Sequence, residues 1–253
     1  AVSQEVVAFL ELLVRAGYNI FISGGTGSGK TTFLNALSHY IPKDERIITI
    51  EDNAELQIQG VANLVRLEAR NANTEGKMEI SIRDLIRSSL RMRPDRIIIG
   101  EVRGSEAVDL LQALNTGHDG SLSTGHANSP EDMLSRLETM VLMGIEIPLP
   151  AIRRQIASGI DVIVHLGRMR DRSRKVLQIL EILGYDALKC EIRTQILYEF
   201  EESGVNMEGK IEGRLAKRAE ISRRKKLDRA GYYLDENESG SMWKSVTADR
   251  GGE

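Results

Sequence analysis

Hydrophobic positions in the first half of the chain follow two alternating spacings. Short runs rich in β-branched residues alternate with stretches in which apolar residues recur every three or four positions. The short runs predict buried strands, and the helical spacing predicts amphipathic helices between them. Strands are predicted at residues 19–23, 46–51, 96–100 and 121–124, with a further possible strand at 63–67. This alternation predicts an α/β fold with a mostly parallel sheet flanked by helices.

The predicted helices carry recognisable start and stop signals. Val6, Val7, Leu10, Leu13 and Val14 recur at helical spacing and predict a helix that opens the chain. A helix over 81–92 must end before Pro94, and Ser129 followed by Pro130 is typical of a helix start. The remaining helices are predicted at 30–39, at 105–115 with Ser105 as the N-cap, and at 129–144.

The pattern changes after Ile160. Residues 161–166, 175–183 and 192–200 predict three strands without intervening helices, and a polar turn at 170–173 joins the first two. These strands predict a β extension of the sheet. After Gly204 the chain is polar and charged with only weak helical periodicity, and the residues from about Asn237 onward are expected to be frayed.

Composition narrows the class of protein without identifying it. The chain has 253 residues, of which 41% are hydrophobic and 28% charged, as in an ordinary globular protein. A net charge of −3 gives no reason to expect nucleic acid as a partner. The single cysteine, Cys190, excludes a disulfide framework within the chain, fits a reducing compartment, and is expected to be a small packed side chain. No run of about 18 apolar residues is present, the length that a spanning helix requires.

A phosphate-binding motif is the strongest chemical signal. Residues 24–31 match the pattern G-x-x-x-x-G-K-[ST], with an apolar strand before them and a helix after them. Glycines let several backbone N–H groups converge on one anion, and the helix N-terminus adds positive potential. Lys30 is predicted to contact the β- and γ-phosphates of ATP, and Thr31 to bind Mg²⁺. The predicted cradle consists of Gly24, Gly25, Thr26, Gly27, Ser28, Gly29, Lys30, Thr31 and Thr32.

Acidic residues follow two of the predicted strands. A P-loop enzyme needs a carboxylate at the end of a neighbouring buried strand, to hold Mg²⁺ or to orient water. Glu101 follows the strand at 96–100, and we expect it to polarise the attacking water and to contact Mg²⁺. Glu51 and Asp52 follow the strand at 46–51. They either contact Mg²⁺ through water or form a solvated strand end.

Four blocks together resemble the ATPases of type II and type IV secretion systems and of pilus assembly. They are residues 24–32 (the phosphate loop), 50–56 (IEDNAEL), 97–104 (IIIGEVRG) and 116–129 (TGHDGSLSTGHANS). The likeness is greatest to the Flp or tight-adherence pilus branch. The resemblance implies a RecA-like P-loop core and a cytoplasmic homo-hexamer at the inner membrane. It also implies that ATP binds between subunits and that hydrolysis powers movement through an inner-membrane platform protein. Mg²⁺ is expected from the phosphate loop, and no direct nucleic-acid partner is expected from the charge and the aromatic content.

The resemblance also assigns roles to individual side chains. His126 would sense the γ-phosphate, and His118, in the same block, has a less definite role. His39 and His165 lie outside the motifs and are expected at the surface or in packing. An arginine from a neighbouring subunit commonly stabilises the γ-phosphate. The candidates are Arg66, Arg70, Arg91 and Arg103, with Arg103 first.

Two basic patterns have alternative interpretations. Arg83, Arg87 and Arg91 form a stripe on one predicted helix, which is either a solvated face or a surface between subunits. Residues 214–229 contain eight lysines or arginines, which form either a patch for anionic lipid or for the platform protein, or a solvated helix.

The expected organisation has three parts. Residues 1–18 correspond to a linker helix from an N-terminal domain that the chain lacks, 19–203 to the ATPase domain, and 204–253 to a polar, basic and partly disordered extension. Because the chain starts with Ala1 rather than Met, we expect it to begin inside a longer protein. Such a piece would bind nucleotide weakly, hydrolyse it slowly and fail to close a ring.

Two rival functions belong to other classes. The RecA-like fold also serves helicases and DNA translocases, although an aromatic content of 4% leaves few platforms on which bases could stack. DNA-stimulated hydrolysis would favour that function. A nucleotide-binding module that only regulates a partner is the second rival, and the presence of Lys30, Thr31 and Glu101 argues against it.

Overall fold

A single large sheet forms the centre of the molecule in the computed structural model, which describes residues 2–70, 79–237 and 240–245. Nine strands belong to this sheet within the described part of the chain. They are β1 (Ile20–Gly24), β2 (Arg46–Glu51), β3 (Asn63–Glu68), β4 (Arg96–Ile99), β5 (Leu122–Gly125), β6 (Val162–Arg168), β7 (Arg174–Asp186), β8 (Glu191–Val205) and β9 (Ile211–Lys217). A separate hairpin follows, of β10 (Tyr232–Asn237) and β11 (Gly240–Ser245).

The helices pack on both faces of the sheet. They are α1 (Gln4–Arg15), α2 (Lys30–Ser38), α3 (Ile82–Ser89), α4 (Ala107–Asn115), α5 (Pro130–Gly144), α6 (Leu149–Gly159) and α7 (Lys225–Arg229). One buried cluster includes residues of α1 and α2 together with Ile221 and Leu227, and a second includes residues of α3 to α6. No described helix combines the length and the apolar character that crossing a membrane requires.

The strand order places β1 in the middle of the sheet. The order is β3-β2-β4-β5-β1-β6-β7-β8-β9, and the six strands from β3 to β6 pair in parallel. The pairs from β6 to β9 are antiparallel. The predicted α/β fold, with its mostly parallel sheet and β extension, is therefore confirmed. Because parallel strands end at the same edge, the residues that follow β1, β2, β4 and β5 come together there.

Two helices of the structure differ from the prediction. Ser105 does not cap α4, since that helix begins at Ala107 after Glu106, without a side-chain cap. Instead, Oε1 of Glu106 accepts hydrogen bonds from the backbone N–H groups of Arg103 and Gly104, so the preceding residues form a turn. The helix α6 was not predicted at all. Prolines near its start masked the helical spacing of Ile152 and Ile156, which are fully buried.

Within the described residues, the chain after Gly204 forms three strands and one short helix, whereas the sequence suggested only weak helical periodicity. β9 pairs with β8, so residues 214–229 contain the end of a strand and a five-residue helix instead of one solvated helix. Five of the eight basic residues in this segment make ion pairs, namely Arg214, Lys217, Arg218, Arg223 and Lys226. Most of the charge on which the lipid-binding hypothesis depends is therefore neutralised within the chain.

The remaining predictions concern the turns and the tail. The turn at 170–173 is confirmed, with Met169 donating its N–H to the Ser173 carbonyl at 2.8 Å. Cys190 is exposed in the turn between β7 and β8, so the expectation of a packed thiol is wrong. Of the tail that was expected to fray, 240–245 form β11, whereas 238–239 and 246–253 lie outside the described residues.

Candidate functional site

The phosphate loop connects the end of β1 to the start of α2. Gly29 has a φ of 95°, in the left-handed region that favours glycine, and it directly precedes the first turn of α2. A Cβ atom at Gly24 would stand 2.4 Å from the carbonyl oxygen of Leu166 in β6. The close packing of β1 against β6 therefore requires a glycine where the loop begins.

Lys30 points into the loop and is buried. Its Nζ donates hydrogen bonds to the carbonyl oxygens of Gly24 at 3.0 Å and Gly25 at 3.1 Å. Burial lowers the pKa of Lys30, and the charge of Glu101 partly opposes that shift. Ser28 Oγ is also buried, and it has no hydrogen-bond partner among the described residues. A phosphate group fits these residues, because its oxygens would accept from both donors.

Thr31 and Thr32 occupy the first turn of α2 with different surroundings. The hydroxyl of Thr31 donates to Oε2 of Glu55 at 3.3 Å. Thr31 also borders a cleft lined by hydroxyl and carboxylate oxygens, the ligands that Mg²⁺ prefers. The lining residues are Thr31, Glu51, Asp52, Asn53, Glu55, Gly100, Glu101 and Arg103. Thr32 is exposed and lines a second pocket on the other side of the loop.

Glu101 follows β4 and is held from several sides. The hydroxyl of Thr124 in β5 donates to the Gly100 carbonyl at 2.6 Å, which fixes the end of the strand. Nη2 of Arg103 donates to Oε2 of Glu101. Nδ1 of His126 contacts Oε1 of Glu101, although the two atoms lack hydrogen-bond alignment. Burial alone would raise the pKa of Glu101, but the Arg103 hydrogen bond and the nearby positive charges outweigh it and lower the pKa.

His126 connects Glu101 to the phosphate loop. It follows β5, and its Nε2 lies 3.4 Å from the hydroxyl oxygen of Thr26 at the tip of the loop. One side chain therefore contacts both the loop and the carboxylate that follows β4. His118 lies before β5, at the opposite end of that strand, and its Nδ1 contacts the carbonyl of Ala113 at 3.1 Å. The structure does not bring His118 to the site.

Glu51 shapes the loop that carries Glu55. It is 5% exposed, and its Oε1 accepts hydrogen bonds from the N–H groups of Glu55 at 3.0 Å and Leu56 at 2.8 Å. Burial raises the pKa of Glu51 despite these two hydrogen bonds. Its neighbour Asp52 lies 3.6 Å from the Arg103 guanidinium. Glu51 and Asp52 therefore lie at the cleft, and Glu51 is buried rather than a solvated strand end.

Two arginines of the predicted stripe on α3 bind a carboxylate of the same chain. Nε of Arg83 and Nε of Arg87 donate to the buried carboxylate of Asp109 in α4, at 2.6 and 2.7 Å. These ion pairs join α3 to α4, and the Arg87 side chain is 57% exposed. Arg66 donates to the carbonyl of Ile58 at 3.2 Å. Arg103 is the candidate whose contacts place it at the cleft.

Sequence reasoning missed two contacts with the loop. Arg174, at the start of β7, donates from Nε to the carbonyl of Gly27 at 2.8 Å. Glu55 accepts a hydrogen bond from the Thr31 hydroxyl, whereas the block at 50–56 had suggested roles only for Glu51 and Asp52. Arg174 is 147 residues from its partner, so no local spacing could reveal it.

An apolar pocket borders the other side of the loop. It lies between α2 and the antiparallel strands, and Lys175 Nζ lies 5.3 Å from the centroid of the Phe200 ring at its edge. The lining residues are Val2, Ser28, Gly29, Thr32, Phe33, Ala36, Leu166, Arg174, Lys175, Val176, Phe200 and Leu215. Such a surface suits a flat, largely apolar ring.

Comparison with known proteins decides the family. The family described as type II/IV secretion system protein matches residues 2–219. This chain belongs to that family. A putative conjugal transfer protein of Mycobacterium tuberculosis is 44% identical over 71% of the chain and 50% of its own length. The type IV secretion system protein PtlH of Bordetella pertussis is 43% identical over 68% of the chain and 52% of its own length. The chain spans about half the length of these curated relatives.

A solved structure agrees with the family assignment. The VirB11 ATPase of the Brucella suis type IV secretion system, in complex with sulphate, is 37% identical to the chain. It aligns with a TM-score of 0.63 over 69% of this chain and 51% of the other. The resemblance drawn from the four sequence blocks is therefore confirmed at the level of the family. The assignment to the Flp or tight-adherence branch stays a prediction.

Proposed function

We propose that this chain is the ATP-hydrolysing core of a secretion or pilus-assembly motor. The observation that carries the proposal is the meeting of Lys30, Glu101 and His126 around one phosphate loop. A lysine at the phosphates and an ionised carboxylate near the attacking water are groups that nucleoside triphosphate hydrolysis uses, and an imidazole can donate a hydrogen bond to a phosphate oxygen. The VirB11 ATPase was solved with sulphate, a tetrahedral dianion similar in shape to phosphate.

The two sides of the loop suit different parts of the nucleotide. The triphosphate would lie along residues 24–32, and the base would enter the apolar pocket beside Phe33 and Phe200. Thr31 and Glu101 would hold Mg²⁺ at the oxygen-lined cleft, with Glu55 and Asp52 close by. When bound, Mg²⁺ neutralises charge on the phosphates.

Glu101 is suited to orient the attacking water. Because its pKa is lowered, Glu101 is ionised at neutral pH and accepts hydrogen bonds. Arg103 balances the charge of Glu101 and Asp52 at the same cleft. His126 contacts both Thr26 and Glu101, so loss of the γ-phosphate would change its surroundings. Glu51 would not contact the nucleotide itself. It would fix the loop that carries Glu55 by accepting a hydrogen bond from the Glu55 N–H.

The proposal also includes the assembly in which the chain acts. We place the chain in a homo-hexamer at the cytoplasmic face of the inner membrane, where it acts on a platform protein. Membership of the secretion family and similarity to type IV secretion proteins support this placement. An arginine of a neighbouring subunit would then complete each site. Because Arg103 pairs with Glu101 and Asp52 of its own cleft, the remaining candidates for that role are Arg66, Arg70 and Arg91.

ATP turnover with matched variants tests the proposal. Lys30→Ala and Glu101→Gln should each lower kcat at least about 100-fold, because each removes charge stabilisation or water orientation at the phosphates. Lys43→Ala, at an exposed lysine outside the site, should leave turnover unchanged. Phosphate release and binding of a fluorescent ATP analogue should both be measured, because Glu101→Gln should still bind nucleotide.

Two results would favour the rival functions. Turnover that rises on addition of single- or double-stranded DNA would favour a DNA translocase. Tight nucleotide binding by the unaltered chain, with no turnover above that of Glu101→Gln, would favour a regulatory module.

A further inference from the structure

The two carboxylate oxygens of Glu101 have different surroundings. Oε2 accepts a hydrogen bond from Nη2 of Arg103. Oε1 is buried and has no hydrogen-bond partner among the described residues, although Nδ1 of His126 contacts it. Buried acceptors in folded proteins are nearly always hydrogen-bonded, so one without a partner at a site indicates a donor that comes from a ligand or from water. Oε1 is therefore the oxygen of Glu101 that is available to the reaction.

The Arg103 guanidinium contacts two carboxylates at once. Its Nη2 donates to Glu101, and its Nη1 lies 3.6 Å from Oδ2 of Asp52. Glu101 follows β4 and Asp52 follows β2, which are neighbouring strands of the sheet. The planar fork of a guanidinium suits two acceptors in a fixed geometry, whereas a lysine ammonium is a compact point charge. Arg103 therefore fixes the Glu101 carboxylate relative to the end of the next strand.

The backbone that carries Arg103 is also fixed. Oε1 of Glu106 accepts hydrogen bonds from the N–H groups of Arg103 and Gly104, the second at 2.9 Å. The preceding residue, Val102, is fully buried, and its N–H donates to the carbonyl of Thr124 in β5 at 2.8 Å. The Arg103 side chain itself is 63% exposed. Its position therefore depends on the turn and on the two carboxylates rather than on close packing.

We propose that Arg103 is a positioning residue that holds Oε2 of Glu101 and thereby directs Oε1 toward the attacking water, with Asp52 as its second anchor. The proposal rests on the proposed function, in which Glu101 orients that water. His126 contacts Oε1 and also lies 3.4 Å from the hydroxyl oxygen of Thr26, so Oε1 faces the phosphate loop. An ionised carboxylate has about four lone-pair sites, so Oε2 can bind Arg103 and still contact Mg²⁺.

Two substitutions separate the geometry of this contact from its charge. Arg103→Lys keeps the positive charge, but a single ammonium cannot reproduce the contacts of the guanidinium with both carboxylates. Asp52→Asn removes the charge of the second anchor and leaves a side chain of nearly the same size. Arg15→Lys is the matched control, because Arg15 is 51% exposed and pairs with Glu11 at 2.9 Å near the end of α1.

Steady-state kinetics separate positioning from nucleotide binding. Arg103→Lys should lower kcat about tenfold and change KM by less than about threefold, because Glu101 is no longer held toward the water. Asp52→Asn should lower kcat by a smaller factor. The double variant should be no slower than Arg103→Lys alone, because Asp52 acts through Arg103. Arg15→Lys should change neither constant. Additive losses in the double variant, or a loss that lies in KM alone, would overturn the proposal.

Side-chain ¹⁵N NMR of arginine, on the chain without nucleotide, gives a readout that does not depend on turnover. Charge-assisted hydrogen bonds to carboxylates hold a guanidinium in one geometry and slow its rotation about the Cζ–Nε bond. The two Nη groups of Arg103 should therefore give separate signals, which are assigned by their loss in Arg103→Lys. Glu101→Gln and Asp52→Asn should each merge the two signals, and Arg15→Lys should leave them separate.

The NMR result also separates this proposal from the proposed function. A single merged Nη signal for Arg103 in the unaltered chain would overturn the proposal whatever the turnover, because the guanidinium would then rotate freely. The absence of turnover by the unaltered chain would count against the proposed function. The signals of Arg103 would still decide whether Glu101 is held.

Discussion

Burial displaces two charged side chains of the site toward their neutral forms. The pKa of Lys30 is lowered by burial, and the pKa of Glu51 is raised by burial. Hydrogen bonds to backbone groups partly offset this desolvation. Lys30 donates to the loop carbonyls, and Glu51 accepts from the N–H groups of residues 55 and 56. The site therefore holds its charges at the expense of stability, as catalytic sites commonly do.

Replacing Glu51 with Gln should show this cost as a dependence of stability on pH. Because the folded pKa is raised, the stability contributed by protonated Glu51 is complete below the unfolded pKa and is lost as pH rises through the folded pKa. The amide of Gln can still accept from Glu55 and Leu56 without a charge. We expect Glu51→Gln to be more stable than the unaltered chain at pH 7.5, and this gain to vanish by about pH 4.

Urea unfolding in EDTA, without nucleotide, measures that difference. Glu208→Gln is the control, since Glu208 is exposed in the turn between β8 and β9 and should change stability little at either pH. A gain that grows on acidification would contradict the sign derived for Glu51.

At the scale of elements, two buried carboxylates fasten the C-terminal segment to the core. Glu181 in β7 accepts from the N–H groups of Ser222 at 2.9 Å and Arg223 at 2.7 Å. Asp161, just before β6, accepts from Lys226 Nζ at 2.7 Å. Lys226 also donates to the Gly17 carbonyl at 2.9 Å, in the turn after α1. The basic residues here hold elements together rather than forming an open patch.

Adjacent lysines of α7 should therefore differ in their effect on stability. Lys226→Met removes a partner of the buried Asp161 and should lower the free energy of unfolding by about 2–3 kcal/mol. Lys225 is exposed, so Lys225→Met should change it by less than about 0.5 kcal/mol. Guanidinium unfolding followed by circular dichroism measures both. Equal effects would show that the ion pair with Asp161 does not fasten the segment.

At the scale of the whole molecule, the parallel and antiparallel strands form one continuous sheet. β9 lies within the extension that composition predicted from residue 204 onward, yet it pairs with β8 along seven registered positions. Ile211, Ile221 and Leu227 are buried although they follow Gly204. The extension therefore contributes to the core on which the phosphate loop depends.

Truncation at two positions should test the continuity of the sheet. A chain that ends after residue 203 loses β9 and the C-terminal partners of Glu181 and Asp161, so we expect a lower Tm and loss of a single cooperative transition. A chain that ends after residue 230 retains these groups and should unfold like the full chain. Differential scanning calorimetry distinguishes them. A chain ending after 203 with unchanged Tm would favour a separate appendage.

Local chemistry made part of this protein predictable from the sequence. The spacing of glycines with Lys30 specifies a phosphate loop wherever a strand precedes it and a helix follows it. Hydrophobic spacing located the parallel strands and most helices for the same reason, since each depends on residues close together in the chain. The four blocks sufficed to identify the family, and its model matches residues 2–219.

Only the tertiary structure decided which distant residues meet. The contact of Arg174 with Gly27, the pairing of Ser23 with His165 and the joining of β9 to the sheet depend on strand order. The helix α6 and the strands after Gly204 depend on burial against other elements, which overrides weak local preference. The sequence by itself determined that the chain carries a phosphate loop. The fold determined which side chains surround that loop, because strand pairing brings together residues that no local spacing relates.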